Sequence, residues 1–86
     1  MRTIWKYPIG IGKCRVNMPI GAKVLSVQMQ RDDPMFWVEV ETEATREDRV
    51  FALIGTGHNI PDDFNRYHGS IQIDGGAFIF HLYEAT

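Results

Sequence analysis

The chain has 86 residues, which suits a single domain with one core. Its net charge is −2, so the composition argues against nucleic-acid binding, which needs a cationic excess. The single cysteine, Cys14, excludes an internal disulfide. No signal-peptide core follows Met1, and no apolar run approaches the ~20 residues of a membrane helix. We therefore expect a cytoplasmic protein that contacts no membrane.

Alternation of apolar and polar residues predicts four strands in the first half of the chain. They lie at about residues 3–9, 13–18, 23–30 and 35–41. In the third of these strands, Leu25, Val27 and Met29 share one face. The segment Arg31-Asp32-Asp33-Pro34 predicts the turn of a hairpin, because Asp favours turn starts and Pro fixes φ. In the strand at 13–18, one face carries Cys14, Val16 and Met18. In the strand at 35–41, one face carries Phe36, Val38 and Val40.

The second half of the chain predicts three more strands, at about residues 49–54, 67–73 and 77–83. Thr42 to Asp48 is polar and predicts a connection. Asp62 and Asp63 are expected to cap a single helical turn through Arg66. Asp74-Gly75-Gly76 is a strong marker of a hairpin turn. The whole chain, residues 1–86, therefore predicts one all-β domain, a compact antiparallel β-sandwich or small barrel of about six to seven strands.

The loop from Gly55 to Asp63 is the most unusual segment. Glycines at 55 and 57 permit positive φ, so successive backbone N–H groups could form a nest that binds an anion. Thr56 would add a hydroxyl and His58 a switchable donor. The alternative is a connection that only turns the chain between strands. The lysine and the long helix of a phosphate loop are missing.

Two arginines and two tryptophans complete the candidate ligand site. Arg46 and Arg49 would neutralise an anion, although their charge-rich stretch is also typical of a solvated edge. Trp5 or Trp37 would stack on a base or contact a partner subunit, although plain core packing is the simpler interpretation. The predicted ligand-binding residues are thus Gly55, Thr56, Gly57, His58, Arg46, Arg49, Trp5 and Trp37.

Catalytic and metal sites are not predicted. The spacings of His58, His68 and His81 match no zinc signature. Cys14, His58 and Asp62 are of the types that nucleophilic catalysis uses, but nothing in the sequence brings them together. We expect no enzymatic activity, no cofactor and no metal.

The chain resembles a family of small proteins of unknown function encoded mainly by bacteriophages and prophages. The resemblance rests on Thr3-Ile4-Trp5-Lys6-Tyr7-Pro8, on the segment from Met18 to Val27, on Phe36-Trp37-Val38, on Gly55-Thr56-Gly57-His58-Asn59-Ile60-Pro61-Asp62-Asp63 and on Phe80-His81-Leu82-Tyr83-Glu84. It implies an accessory product of a virus of bacteria, located in the host cytoplasm. Such products are often non-enzymatic, and many inhibit host defences.

Two functions follow as hypotheses. In the first, a homo-oligomer holds a small anionic or nucleotide-like ligand at its subunit junctions and so acts as an anti-defence protein by sequestration. In the second, the protein has no small ligand and inhibits a host protein, or serves as a virion accessory protein. Its contacts would then be exposed aromatic residues and the acidic stretch from Glu39 to Asp48.

Overall fold

The computed structural model describes all 86 residues, which form seven β-strands. Their bounds are β1 (Arg2–Pro8), β2 (Cys14–Pro19), β3 (Lys23–Gln30), β4 (Asp33–Glu41), β5 (Arg46–Gly55), β6 (Phe64–Ile73) and β7 (Phe78–Ala85). A three-stranded sheet has the order β1-β4-β3, and a four-stranded sheet has the order β2-β5-β7-β6. Every neighbouring pair is antiparallel. The predicted all-β sandwich is confirmed. No helix that could cross a membrane is present.

The core lies between the inner faces of the two sheets. The predicted apolar face of β4 is fully buried there, and the ring of Phe36 lies 4.8 Å from that of Phe51 on the opposite sheet. Val16 and Met18 of β2 join the same cluster, as predicted. Trp5 and Tyr7 of β1 also point inward and pack against this core, whereas Trp37 of β4 lies on the outer face.

The hairpin of β3 and β4 departs from the predicted pattern at two positions. The register shifts between Val24 and Ser26, and this bulge places Val24 against the core and leaves Leu25 exposed. The prediction that Leu25 shares the face of Val27 was therefore wrong. The turn contains only Arg31 and Asp32, so Pro34 lies in β4, near the start of the strand, where proline is tolerated.

Two predicted boundaries in the second half were also wrong. β5 begins at Arg46 because its polar first residues pair with β2 as far as Pro19, and backbone pairing does not depend on side-chain polarity. The expected helical turn after Asp62 does not form. Phe64 instead begins β6, and the Asp63 carbonyl accepts a hydrogen bond from the amide of Thr86.

The connection between β5 and β6 crosses the outer face of the four-stranded sheet. β7 is antiparallel to both strands, so β5 and β6 run parallel on either side of it. Residues 56–63, here called the crossover segment, must therefore return from one end of the sheet to the other. Beneath it, Ala52, Ile54 and Phe64 form a second, smaller apolar cluster. The glycine-rich loop thus covers part of the outer face of the four-stranded sheet.

Candidate functional site

The crossover segment begins with a tight turn whose amides are already engaged. The His58 N–H donates to the Gly55 carbonyl at 3.0 Å, and the Thr56 N–H donates to the Ile79 carbonyl at 3.0 Å. Neither group is free to bind an anion, which removes two of the donors that the nest interpretation requires. The predicted positive φ falls on Gly57, at +86°. At Gly55, a Cβ would lie 2.9 Å from Nδ1 of His58, so the exposed His58 side chain would have to move to accommodate it.

Replacing Gly57 with alanine is expected to lower the free energy of unfolding by about 1 kcal/mol, because an L side chain is strained at positive φ. Gly10→Ala is the matched control, since Gly10 has an ordinary φ and open space around its Cα. Urea denaturation of both variants measures the difference. Equal stabilities would contradict the positive φ at Gly57.

His58→Ala should leave the stability nearly unchanged, because its exposed side chain makes no hydrogen bond or ion pair.

An aromatic strip lies beside the crossover segment on the outer face of β6 and β7. It consists of Tyr67, Ile79, His81 and Tyr83. Tyr67 is 53% exposed, and its ring meets that of Tyr83 edge-on at 5.3 Å. The ring of His81 lies 6.0 Å from that of Tyr67. The strip contains no Asp, Glu, Lys or Arg.

Hydrogen bonds hold His81 in one orientation within the strip. The Thr56 hydroxyl donates to the Ile79 carbonyl at 3.3 Å, so its oxygen accepts from Nε2 of His81 at 2.9 Å. The Tyr67 hydroxyl is hydrogen-bonded to Nδ1 of the same ring at 3.3 Å. The crossover segment and the strip form one connected surface through these bonds.

A groove of about 210 Å³ separates the crossover segment from the strip. Thr56, His58 and Ile60 line one side, and His81 and Tyr83 form part of its floor. Two further clefts, of about 250 and 180 Å³, also touch Gly55 and His58. The groove combines Gly55, Thr56, Gly57 and His58 with the His81 and Tyr83 rings of the aromatic strip, whereas the cleft of about 250 Å³ reaches only Ile79 of the strip.

The other predicted ligand residues lie away from this groove. The Arg46 guanidinium lies 5.1 Å from the centre of the Trp5 ring, so the structure does bring these two together, at the edge formed by β1. Trp37 lies on the outer face of the other sheet. The eight residues do not form a single site within one copy of the protein. Their assembly across copies stays a prediction.

Arg49 belongs to a buried polar triad that the sequence reasoning missed. Its guanidinium donates to both carboxylate oxygens of Glu84, at 2.6 and 2.8 Å, and to the Ala22 carbonyl at 2.6 Å. Nε2 of His68 lies 2.8 Å from the same carboxylate. Only 4% of the Glu84 side chain and 11% of the Arg49 side chain are exposed. The charge that was predicted to meet a ligand is therefore neutralised internally.

The pKa of Glu84 reflects these contacts. Burial by itself raises the pKa of this carboxyl group, but hydrogen bonds and charges from Arg49 and His68 outweigh it, so the pKa lies below its ordinary value. The sequence signal that could have revealed the triad was the position of its charged residues in the alternation of each strand. Glu84 alternates with Leu82 and Phe80, and Arg49 with Phe51, so both charged residues occupy core-facing positions.

The cleft above the triad is polar and mostly acidic. Its volume is about 440 Å³, and its charged lining residues are Glu47, Asp48, Glu84, Arg49 and Arg66. Three carboxylates against two guanidinium groups make it a poor site for an anion. No three His, Cys, Asp or Glu side chains converge to hold a metal ion.

The fold and surface define a small β-sandwich domain with a groove between the crossover segment and an aromatic strip on the outer face of the four-stranded sheet. The chain belongs to the family described as a domain of unknown function (DUF7352), whose model matches residues 1–86. No curated protein and no solved structure gives a significant match.

Proposed function

We propose that this protein is a phage-encoded accessory protein without enzymatic activity that inhibits a host protein by binding it through the aromatic strip. One observation carries the proposal: a surface without acidic or lysine and arginine side chains, made of the exposed Tyr67 and Ile79 and the half-buried His81 and Tyr83, is held together by hydrogen bonds and ring contacts. Tyrosine is enriched at protein interfaces because it gives a large contact area with few torsions to immobilise.

Cleft size and charge support a protein partner over a nucleotide. The three clefts around His58 measure about 180 to 250 Å³. Sites for drug-sized ligands usually measure roughly 300–1,000 Å³. Two clefts are larger. The one of about 440 Å³ carries three acids, which oppose a phosphate, and the one of about 330 Å³ is lined by only four residues, among which Glu39 balances Arg2.

The test compares two surface variants of the whole protein in extract from a bacterial host. Tyr67→Ala should reduce recovery of the partner at least about thirtyfold, the effect of losing an interface residue worth roughly 2 kcal/mol. Leu25→Ser, a change at an apolar residue that is 43% exposed on the other sheet, should leave recovery unchanged. Quantitative mass spectrometry of the captured proteins gives the ratio. Equal recovery with wild type and Tyr67→Ala would overturn the proposed surface.

A small anionic ligand at subunit junctions is the second proposal, and the stacked pair of Arg46 and Trp5 supports it. A second copy would have to supply the rest of such a site, so this proposal requires a homo-oligomer. Heat denaturation of the protein purified from infected cells should then release a nucleotide. A supernatant without nucleotide, together with a monomeric protein by sedimentation, would contradict the proposed ligand site.

A further inference from the structure

We infer that the free edge of β1 binds an extended, acidic segment of another protein as an added strand of the three-stranded sheet. β1 is an edge strand of seven residues whose only ladder partner is β4. The inference goes beyond the proposed function because it concerns the other sheet and a different kind of contact.

The phase of the β1–β4 ladder shows which backbone groups are free. The Ile9 N–H donates to the Pro34 carbonyl, and the Thr42 N–H donates to the Met1 carbonyl. Hydrogen-bonded pairs alternate along an antiparallel ladder, so odd-numbered residues of β1 bond to β4. The N–H and C=O groups of Arg2, Ile4 and Lys6 therefore point away from the sheet, and a new strand would find them unpaired.

The other edges of the two sheets are less suited to strand addition. The ladders of β3 and β6 each contain at least one bulge, which interrupts the row of free groups. β2 has a regular ladder, but only Arg15 and Asn17 have both backbone groups pointing away from the sheet. The next residue in that alternation is Pro19, which has no N–H. β1 presents the longest regular row.

Charge determines what kind of strand fits. Arg2 makes no ion pair, and Lys6 donates only to the neutral Gln30 side chain. Both lie on the outer face of the sheet, while Arg46 lies on the inner side against Trp5. Glu39 and Glu41 are the nearest acidic residues, and they lie on β4, on the side of β1 away from the free edge. A strand with acidic residues opposite Arg2 and Lys6, and an apolar residue opposite the 56% exposed Ile4, would therefore be complementary.

The same charges disfavour a second copy of this chain as the occupant. In the antiparallel register that pairs all three free residues, Ile4 faces its own copy and Arg2 faces Lys6. Two such like-charge contacts oppose pairing. The edge is thus protected against its own copies and open to an acidic strand.

The probe is the acetylated, amidated peptide Thr-Glu-Thr-Val-Thr-Glu-Thr, titrated into the ¹⁵N-labelled full chain. We expect amide shifts centred on residues 2–6 and saturable binding. The peptide with Lys in place of both Glu should bind at least about tenfold more weakly, because two attractive cross-strand pairs become repulsive. Shifts confined to β2, or to the aromatic strip, would overturn the proposal, as would equal affinity for the two peptides.

Two substitutions at one position separate backbone pairing from side-chain contact. Ile4→Pro removes an N–H that bonds to nothing within the protein, so the fold should be retained. It should weaken binding of the acidic peptide about tenfold or more, while Ile4→Thr, which keeps the N–H, should stay within about threefold of wild type. If Ile4→Pro disturbs the fold, N-methylation of the peptide at Val makes the same test on the other partner. Undiminished binding in these tests would refute strand addition, whatever the aromatic strip proves to bind.

Discussion

Glu84→Ala is expected to lower the free energy of unfolding by about 3–5 kcal/mol, the usual cost of leaving one buried charge without its partner. Arg49 is the residue left unpaired, because its guanidinium gives two of its hydrogen bonds to that carboxylate and is largely excluded from solvent. A domain of this length has a total stability of roughly 4–13 kcal/mol, so the loss would be a large part of it. Urea denaturation at pH 7 measures the change.

Two control variants distinguish the buried charge from other effects. Glu41→Ala removes an exposed carboxylate and should change stability by less than about 0.5 kcal/mol. Replacing Arg49 and Glu84 together with leucine should recover part of the loss, because it removes both buried charges. A loss below about 1 kcal/mol for Glu84→Ala would show that water reaches the triad.

The lowered pKa of Glu84 also gives a direction for the pH dependence. Stability that comes from a lowered carboxyl pKa is complete above the unfolded-state value, about 4.3, and is lost as the pH falls through the folded-state value. Wild type should therefore lose more stability than Glu84→Ala between pH 6 and pH 3. Parallel acid titrations followed by tryptophan fluorescence test this difference. Identical acid profiles would mean that other carboxyl groups control the transition.

Phe64→Ala is expected to cost about 3–5 kcal/mol and to lower Tm by more than about 12 °C. Phe64 is only 2% exposed and directly follows the crossover segment, and it packs with Ala52 and Ile54 on the outer face of the four-stranded sheet. Lys13 covers the other side of the ring, 5.7 Å from its centroid. Without the ring, the second apolar cluster loses its largest buried side chain.

Ile60→Ala is the matched control, because Ile60 is an apolar residue of the same segment that remains exposed. It should change stability by no more than about 0.5 kcal/mol. Differential scanning calorimetry of both variants gives the comparison. Equal effects would mean that the second cluster does not anchor the segment.

Local sequence patterns predicted most of the strands, since alternation and turn chemistry act over a few residues. The faces of β2 and β4 and the turn at Asp74 to Gly76 followed directly from those patterns. Leu25 was misplaced because a bulge shifts the alternation, and two adjacent apolar residues, Val24 and Leu25, do not indicate which of them turns inward. Arg46 to Asp48 looked like a loop because only a ladder with β2 makes them a strand.

The site was predicted less well, because its parts meet only through contacts distant in sequence. The glycine-rich segment was identified, but its neighbour Tyr67 belongs to a strand brought alongside by the crossover. Arg49 was selected for its charge, although its partner Glu84 lies 35 positions further along the chain. A rule that searches each strand for charged residues on the same face as the apolar ones would have identified Arg49 and Glu84 as buried residues.

The position of β7 between β5 and β6 has a consequence for synthesis in the cell. The four-stranded sheet has no ladder for β6 until residues 78–85 have left the ribosome, because β6 pairs with β7 alone. Until then Phe64 and Ile71 have no completed sheet against which to pack. We therefore expect the four-stranded sheet to be completed only after β7 has been translated, and a ribosome stalled before residue 78 to hold a chain with these apolar residues exposed.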